Sequence, residues 1–127
     1  MRKYQLDKND APDKNSINKI EMAKLSISYM KKNFREDITL DDIAGHIGFN
    51  KCYFCRVFKE VTGVTVITML NTIRCEEAKH LLASTSYNIS EVAERCGFSN
   101  TSYFTKIYKK ITGCLPSYDI KKQKTTE

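Results

Sequence analysis

Residues 88–113, NISEVAERCGFSNTSYFTKIYKKITG, read as two short helices around a glycine turn. Asn88 is placed to cap the first helix, with Glu91 three residues on as its capping-box partner. Ala93 and Gly97 follow four apart: the small alanine admits a neighbouring helix closely, and the glycine can take the left-handed conformation that ends a helix. Ser99 then caps a second helix whose Phe104, Ile107, Tyr108 and Ile111 fall on one face. At about 100° per residue, Ser102, Lys106 and Lys109 point directly away from that face, with Thr105 beside them. A helix packed on one side and carrying hydrogen-bonding groups and cations on the other suits a DNA major groove.

The pattern occurs earlier as well, over residues 39–63, TLDDIAGHIGFNKCYFCRVFKEVTG. Here Thr39 and Asp42 are the capping pair, Ala44 and Gly48 the turn pair, and Phe54, Val57, Phe58 and Val61 the packed face. Cys52, Arg56 and Lys59 point outward, with Cys55 beside them. Ala44 and Gly48 recur 49 residues later, whereas Phe54 and Gly63 recur 50 residues later, so the second unit has one extra turn residue. One Ala-x-x-x-Gly is weak evidence; two copies, each followed by Phe, an aromatic-rich helix and Thr-Gly, are strong evidence for a duplicated helix-turn-helix.

With both units in view, the chain resembles the DNA-binding domain of the AraC/XylS family of bacterial transcription regulators, including its short members. The resemblance rests on IAGHIGF…YFCRVFKEVTG, the connecting TMLNTIRCEEAKHLL, and ISEVAERCGFSNTSYFTKIYKKITGCLPSY, and covers about residues 20 to 120.

Composition narrows the alternatives. A chain of 127 residues makes one domain with one core, too short for a second effector domain of ordinary size. A net charge of +6 favours a polyanionic partner without choosing between nucleic acid and a membrane surface. No apolar run approaches the ~18 residues of a spanning helix, and the N-terminus has no signal-like apolar core. A cytoplasmic protein without membrane attachment is expected. Five cysteines, an odd number scattered through predicted helices, read as free thiols in a reducing compartment.

In chain order, residues 1–15 read as a disordered leader or linker remnant, a natural start and the C-terminal part of a longer regulator fitting equally well. Residues 16–120 form the DNA-binding domain. Ser16 caps a helix to about Asn33, with Ile20, Ala23, Ile27, Met30 and Phe34 as its buried stripe. After the first unit, Thr65 starts a long connecting helix to about Leu82, packed through Leu70, Ile73, Ala78, Leu81 and Leu82. Such a helix spans about 25–30 Å, near the separation of successive major-groove faces. Pro116 opens a short last helix with Tyr118, and residues 121–127 form a frayed basic tail. The expected fold is all-α: about seven helices, no strand, two helix-turn-helix units.

Other chemistry is less well supported. Cys52-x-x-Cys55 lacks the preceding strand of a thioredoxin-like site, and no second ligand pair completes a zinc site; His46 and His80 are isolated, solvent-facing histidines. A thiol redox sensor using Cys52 and Cys55, or a helical protein-interaction module, are the alternatives to DNA binding. Lys19, Lys24, Lys31 and Lys32 read as a solvated face. Phe49, Phe54, Phe58, Phe98, Phe104 and Tyr108 read as core. No catalytic set is visible, so an enzyme, a cofactor and a metal are not expected.

The resemblance implies that each unit inserts its second helix into the major groove of double-stranded DNA, one chain per site, usually as an activator that places RNA polymerase. Its base-reading positions carry over to Cys52, Cys55 and Arg56, and to Thr101, Ser102, Thr105 and Lys106. Arg56 has the geometry to bridge guanine O6 and N7. Phosphate contacts fall to Asn50, Lys51, Tyr53 and Lys59 in the first unit and to Ser99, Asn100, Tyr103 and Lys109 in the second, with Tyr53 and Tyr103 reading equally as packing. Short members often carry a large aromatic or amide where Cys52 and Cys55 stand, and arginine at Lys106. Thiols hydrogen-bond weakly, so the first unit either reads thymine methyls by apolar contact or reads little.

Overall fold

Two reciprocal capping boxes set the phase of the duplicated units. Thr39 Oγ1 accepts the Asp42 N–H at 3.0 Å while Asp42 Oδ2 accepts the Thr39 N–H at 2.9 Å. In the second unit Asn88 Oδ1 accepts the Glu91 N–H at 2.8 Å and Glu91 Oε1 accepts the Asn88 N–H at 2.9 Å. Each box satisfies amides that an α-helix leaves open at its start.

The computed structural model describes residues 18–120. The expectations for residues 1–15, for Ser16 and for the tail 121–127 lie outside the described residues. The elements are α1 (Lys19–Asn33), α2 (Leu40–Ile47), α3 (Lys51–Thr62), α4 (Val66–Ser84), α5 (Ile89–Arg95) and α6 (Thr101–Thr112). Residues 116–120 begin a further helix, α7. Among the described residues there is no strand, as expected. They divide into two compact units, residues 18–32 with Ile38–Met69, and Asn33–Asp37 with residues 70–120.

In the first unit the turn is closed by Gly48 at φ 81°, and the Phe49 N–H reaches back to the Ala44 carbonyl at 3.0 Å. Phe54, Val57 and Phe58 are buried on α3, but Val61 stays 36% exposed at the edge of that face. α1 corrects the expected stripe: Ile20 is 59% exposed, and Met22 and Ser26 are buried with Ala23 and Met30. Asn18 begins this helix, its Oδ1 accepting the Glu21 N–H at 2.8 Å.

The second unit closes its turn the same way, with Gly97 at φ 93° and the Phe98 N–H on the Ala93 carbonyl at 3.0 Å. Its core joins Cys75, Ala78 and Leu82 of α4 to Val92, Ala93, Cys96, Phe98, Phe104 and Tyr108. Buried Arg74 binds the segment after α1: its Nε donates to the Phe34 carbonyl and its Nη2 to the Glu36 carbonyl, each at 2.9 Å. These bonds satisfy carbonyls of the segment that follows α1, which has no ladder of its own to pair them. A Cβ on Gly97 would collide with that Phe34 carbonyl and lie 2.9 Å from Arg74 Nε, so the turn needs glycine for space as well as for conformation. The Tyr108 hydroxyl donates to buried Asp119, pinning α7.

Candidate nucleic-acid interface

The α3 surface is built on an asparagine cap. Asn50 Oδ1 accepts the Tyr53 N–H at 2.9 Å, satisfying one of the amides left open at the helix start. Cys52 and Arg56 are exposed and Cys55 is half-buried, so the expected base-reading side chains share one accessible side of α3. Arg56 lies over the Tyr53 ring, 5.2 Å from its centroid, which restrains a long side chain without using its donors. Cys55, Arg56, Lys59 and Glu60 also border an open cleft whose other wall is Leu40, Thr65, Val66 and Ile67. Burial, and then the neighbouring Cys52, push the Cys55 thiol above its ordinary pKa. It is a poor thiolate, which does not favour redox chemistry. Lys51 is drawn to Asp41 at 3.8 Å, an exposed pair that competes only weakly with a phosphate. His46, exposed as expected, stacks on Tyr29 with ring centroids 4.3 Å apart.

On α6 the cap is Asn100 rather than the expected Ser99: its Oδ1 accepts the Tyr103 N–H at 2.7 Å. Asn100 lies 50 residues after Asn50, so Ser99 is the extra turn residue and stands exposed outside the helix. Ser102, Lys106 and Lys109 are exposed, and Thr105 is half-buried beside them. Thr101 is half-buried and shares a hydrogen bond with Ser90 of α5 at 3.1 Å, which ties its hydroxyl back to the unit. Arg56, Lys59, Lys106 and Lys109 form no ion pair with a carboxylate among the described residues. Lys19 does, with Glu60 at 3.4 Å, in keeping with a solvated α1 face.

Residue spacing misses two buried polar residues that brace the second unit. Asn71 and Arg74 sit on α4 and are buried, and their partners lie 32 to 40 residues away in the chain. No local pattern marks them. Among the described residues no group of three or more His, Cys, Asp or Glu could hold a metal ion, and no helix is long and apolar enough to cross a membrane.

Comparison with known proteins agrees with this fold. A helix-turn-helix domain family model matches residues 43–121. The regulatory protein PocR of Salmonella typhimurium is 30% identical over 93 residues, covering 73% of this chain and 31% of PocR. The chain thus spans about a third of that relative's length. The C-terminal domain of AraT, a response regulator from Geobacillus stearothermophilus, superposes with a TM-score of 0.76 at 30% identity, covering 84% of this chain and 88% of that one. A Chromobacterium violaceum transcriptional regulator of the AraC-type DNA-binding-domain group superposes with a TM-score of 0.75 at 26% identity, covering 80% and 91%.

Proposed function

The chain belongs to the AraC/XylS family of helix-turn-helix transcription regulators, and from that premise we propose that it binds double-stranded DNA as a monomer, laying α3 and α6 in successive stretches of major groove. One observation carries the reading. At equivalent positions of both units, Arg56 with Lys59 and Lys106 with Lys109, exposed cations stand opposite a buried aromatic face on a helix begun by an asparagine cap. A protein-interaction surface needs no such repetition, whereas two passes of one groove do.

The roles divide by chemistry. Arg56 reads guanine through a two-pronged contact, Cys52 and Cys55 offer soft apolar surface to thymine methyls, and Ser102, Thr105 and Lys106 supply hydrogen bonds to base edges. Thr101 contributes from the flank. Lys51, Lys59, Lys109 and the amides at Asn50 and Asn100 hold phosphates and fix register. Ser99 lies close enough to the start of α6 to share that task. The regulator works in the cytoplasm, without enzymatic activity, as an activator that presents RNA polymerase with a protein surface beside the promoter.

Sequence selection from a random duplex pool, followed by footprinting, tests this. A two-box, non-palindromic consensus with salt-dependent affinity is expected, each neutralised phosphate adding about 0.9 to the log–log salt slope. Affinity for duplex that does not change between low and physiological salt would sink the proposal and favour a protein partner.

A further inference from the structure

Asn71 is a buried amide, 6% exposed, on the face of α4 turned into the second unit. Its Nδ2 donates to the Tyr103 hydroxyl at 3.2 Å, 32 residues along the chain. Tyr103 is 40% exposed and occupies the first turn of α6; its ring leans against Phe98, centroids 6.1 Å apart. A tyrosine hydroxyl has one hydrogen to give. With Asn71 donating to its oxygen and the residue 40% exposed, the hydroxyl keeps that hydrogen to give to an acceptor on the outward side.

The outward direction has a meaning on this helix. At about 100° per residue, Tyr103 falls between the buried Phe104 side and the exposed side bearing Ser102 and Lys106. It is therefore on a flank of α6, not on the base-reading side. The exposed Lys110 lies on the same flank two turns on. When a helix lies in a major groove, its flanks face the phosphate walls.

We propose that Asn71 is a positioning residue for DNA binding: it holds the Tyr103 hydroxyl as a fixed, outward hydrogen-bond donor to one backbone phosphate. This rests on the DNA-binding reading and assigns within it a residue that touches no DNA itself. The benefit is preorganisation. A hydroxyl already oriented loses little freedom on binding, and a hydrogen bond to an ionised oxygen is among the stronger ones. The contact carries no sequence information, so its loss weakens every duplex alike.

The experiment compares Tyr103→Phe, Asn71→Leu, Asn71→Asp and the Tyr103→Phe/Asn71→Leu pair on the selected site and on random duplex, with thermal melts as a folding control. Tyr103→Phe is expected to weaken both duplexes about tenfold, from the ordinary strength of a hydrogen bond to a charged group. Asn71→Leu should lose part of that, and Asn71→Asp more than Asn71→Leu, because its carboxylate captures the hydroxyl hydrogen and repels the phosphate. In the Tyr103→Phe background, Asn71→Leu should bring no further loss. Duplexes carrying a neutral methylphosphonate at single positions add a readout that a merely structural role would not move. One substituted phosphate should weaken the unmodified protein and leave Tyr103→Phe unaffected. Undiminished binding by Tyr103→Phe, or an Asn71→Leu loss that persists in its background, would overturn the assignment while leaving DNA binding intact. Failure of the unmodified protein to bind any duplex at low salt would overturn both.

Discussion

The two helix-turn-helix units share one packing pattern and one outward pair of cations, and differ in the other side chains that face out. Both begin with a capping box, turn through a left-handed glycine, restart at an asparagine and end at a left-handed glycine, Gly63 or Gly113. Outward, each carries a pair of cations, but the first sets two thiols beside Arg56 and Lys59, and the second sets hydroxyls beside Lys106 and Lys109. Packing constrains one face of each helix through volume and hydrogen bonding, whereas solvent leaves the other free to change. The cysteines show the same split. Cys52 is exposed and Cys55 half-buried on the α3 surface, while Cys75 and Cys96 are sealed in the second core. A duplicated scaffold with two separate readouts suits an asymmetric target.

The strongest effects are expected on the scaffold. Gly97→Ala should destabilise the protein by roughly 3–5 kcal/mol, combining a left-handed φ with a collision against the Phe34 carbonyl and Arg74. Gly63→Ala and Gly113→Ala meet nothing within 4 Å, so only conformational strain of about 1–2 kcal/mol applies. Urea denaturation of the three variants checks this. Equal losses would mean that Gly97 is not clamped as described.

Next in size are the readouts. Arg56→Ala should cost about 1–3 kcal/mol on the preferred site and relax the choice at one or two base pairs. Lys109→Ala should weaken all duplexes by a similar factor and lower the salt slope by about 0.9. Titrations on matched and mismatched duplexes at several salt concentrations separate the two. If both variants lose equally on every sequence, Arg56 is a phosphate contact and the two roles merge.

The smallest effects concern the thiols. Burial raises the pKa of both Cys75 and Cys96 to about 12 from an ordinary 9.0. Below about pH 8, a unit under that ordinary value, these thiols are protonated folded or unfolded and add almost no pH slope. Between pH 9 and about 12 the unfolded chain releases protons that the folded chain retains, and stability falls as pH rises. Replacing both with alanine should flatten that decline in alkaline melts, although the core itself is weakened. A thiol-specific maleimide at neutral pH should label Cys52 first and reach Cys75 and Cys96 only on unfolding, as mass spectrometry would show. Mild oxidant should leave DNA binding nearly unchanged. A reversible loss abolished by Cys52→Ser with Cys55→Ser would instead make the first readout a redox switch.

Much of the scaffold is legible in residue spacing. The capping boxes, turn glycines and aromatic stripes are local patterns, each contained within a few helical turns. The differences are equally physical. Ser99 and Asn100 are adjacent and both good caps, and only the 50-residue offset from Asn50 distinguishes them. On α1, Ile20 reads as core by type, but the buried row runs through Met22, Ser26 and Met30 instead. Asn71 and Arg74 are set by tertiary partners, which no window of sequence contains. The candidate reading residues were legible as positions because they lie opposite a packed face. Their base preference was not, since it depends on contacts with a partner.

The most direct test is the stoichiometry and affinity on the selected site, compared with the same site carrying about five extra base pairs, half a helical turn, between its boxes. One chain per duplex is expected, with affinity on the spaced site falling to that of a single box, because α3 and α6 belong to one polypeptide joined through α4. Two chains per duplex, a palindromic consensus, or undiminished affinity on the spaced site would contradict the account.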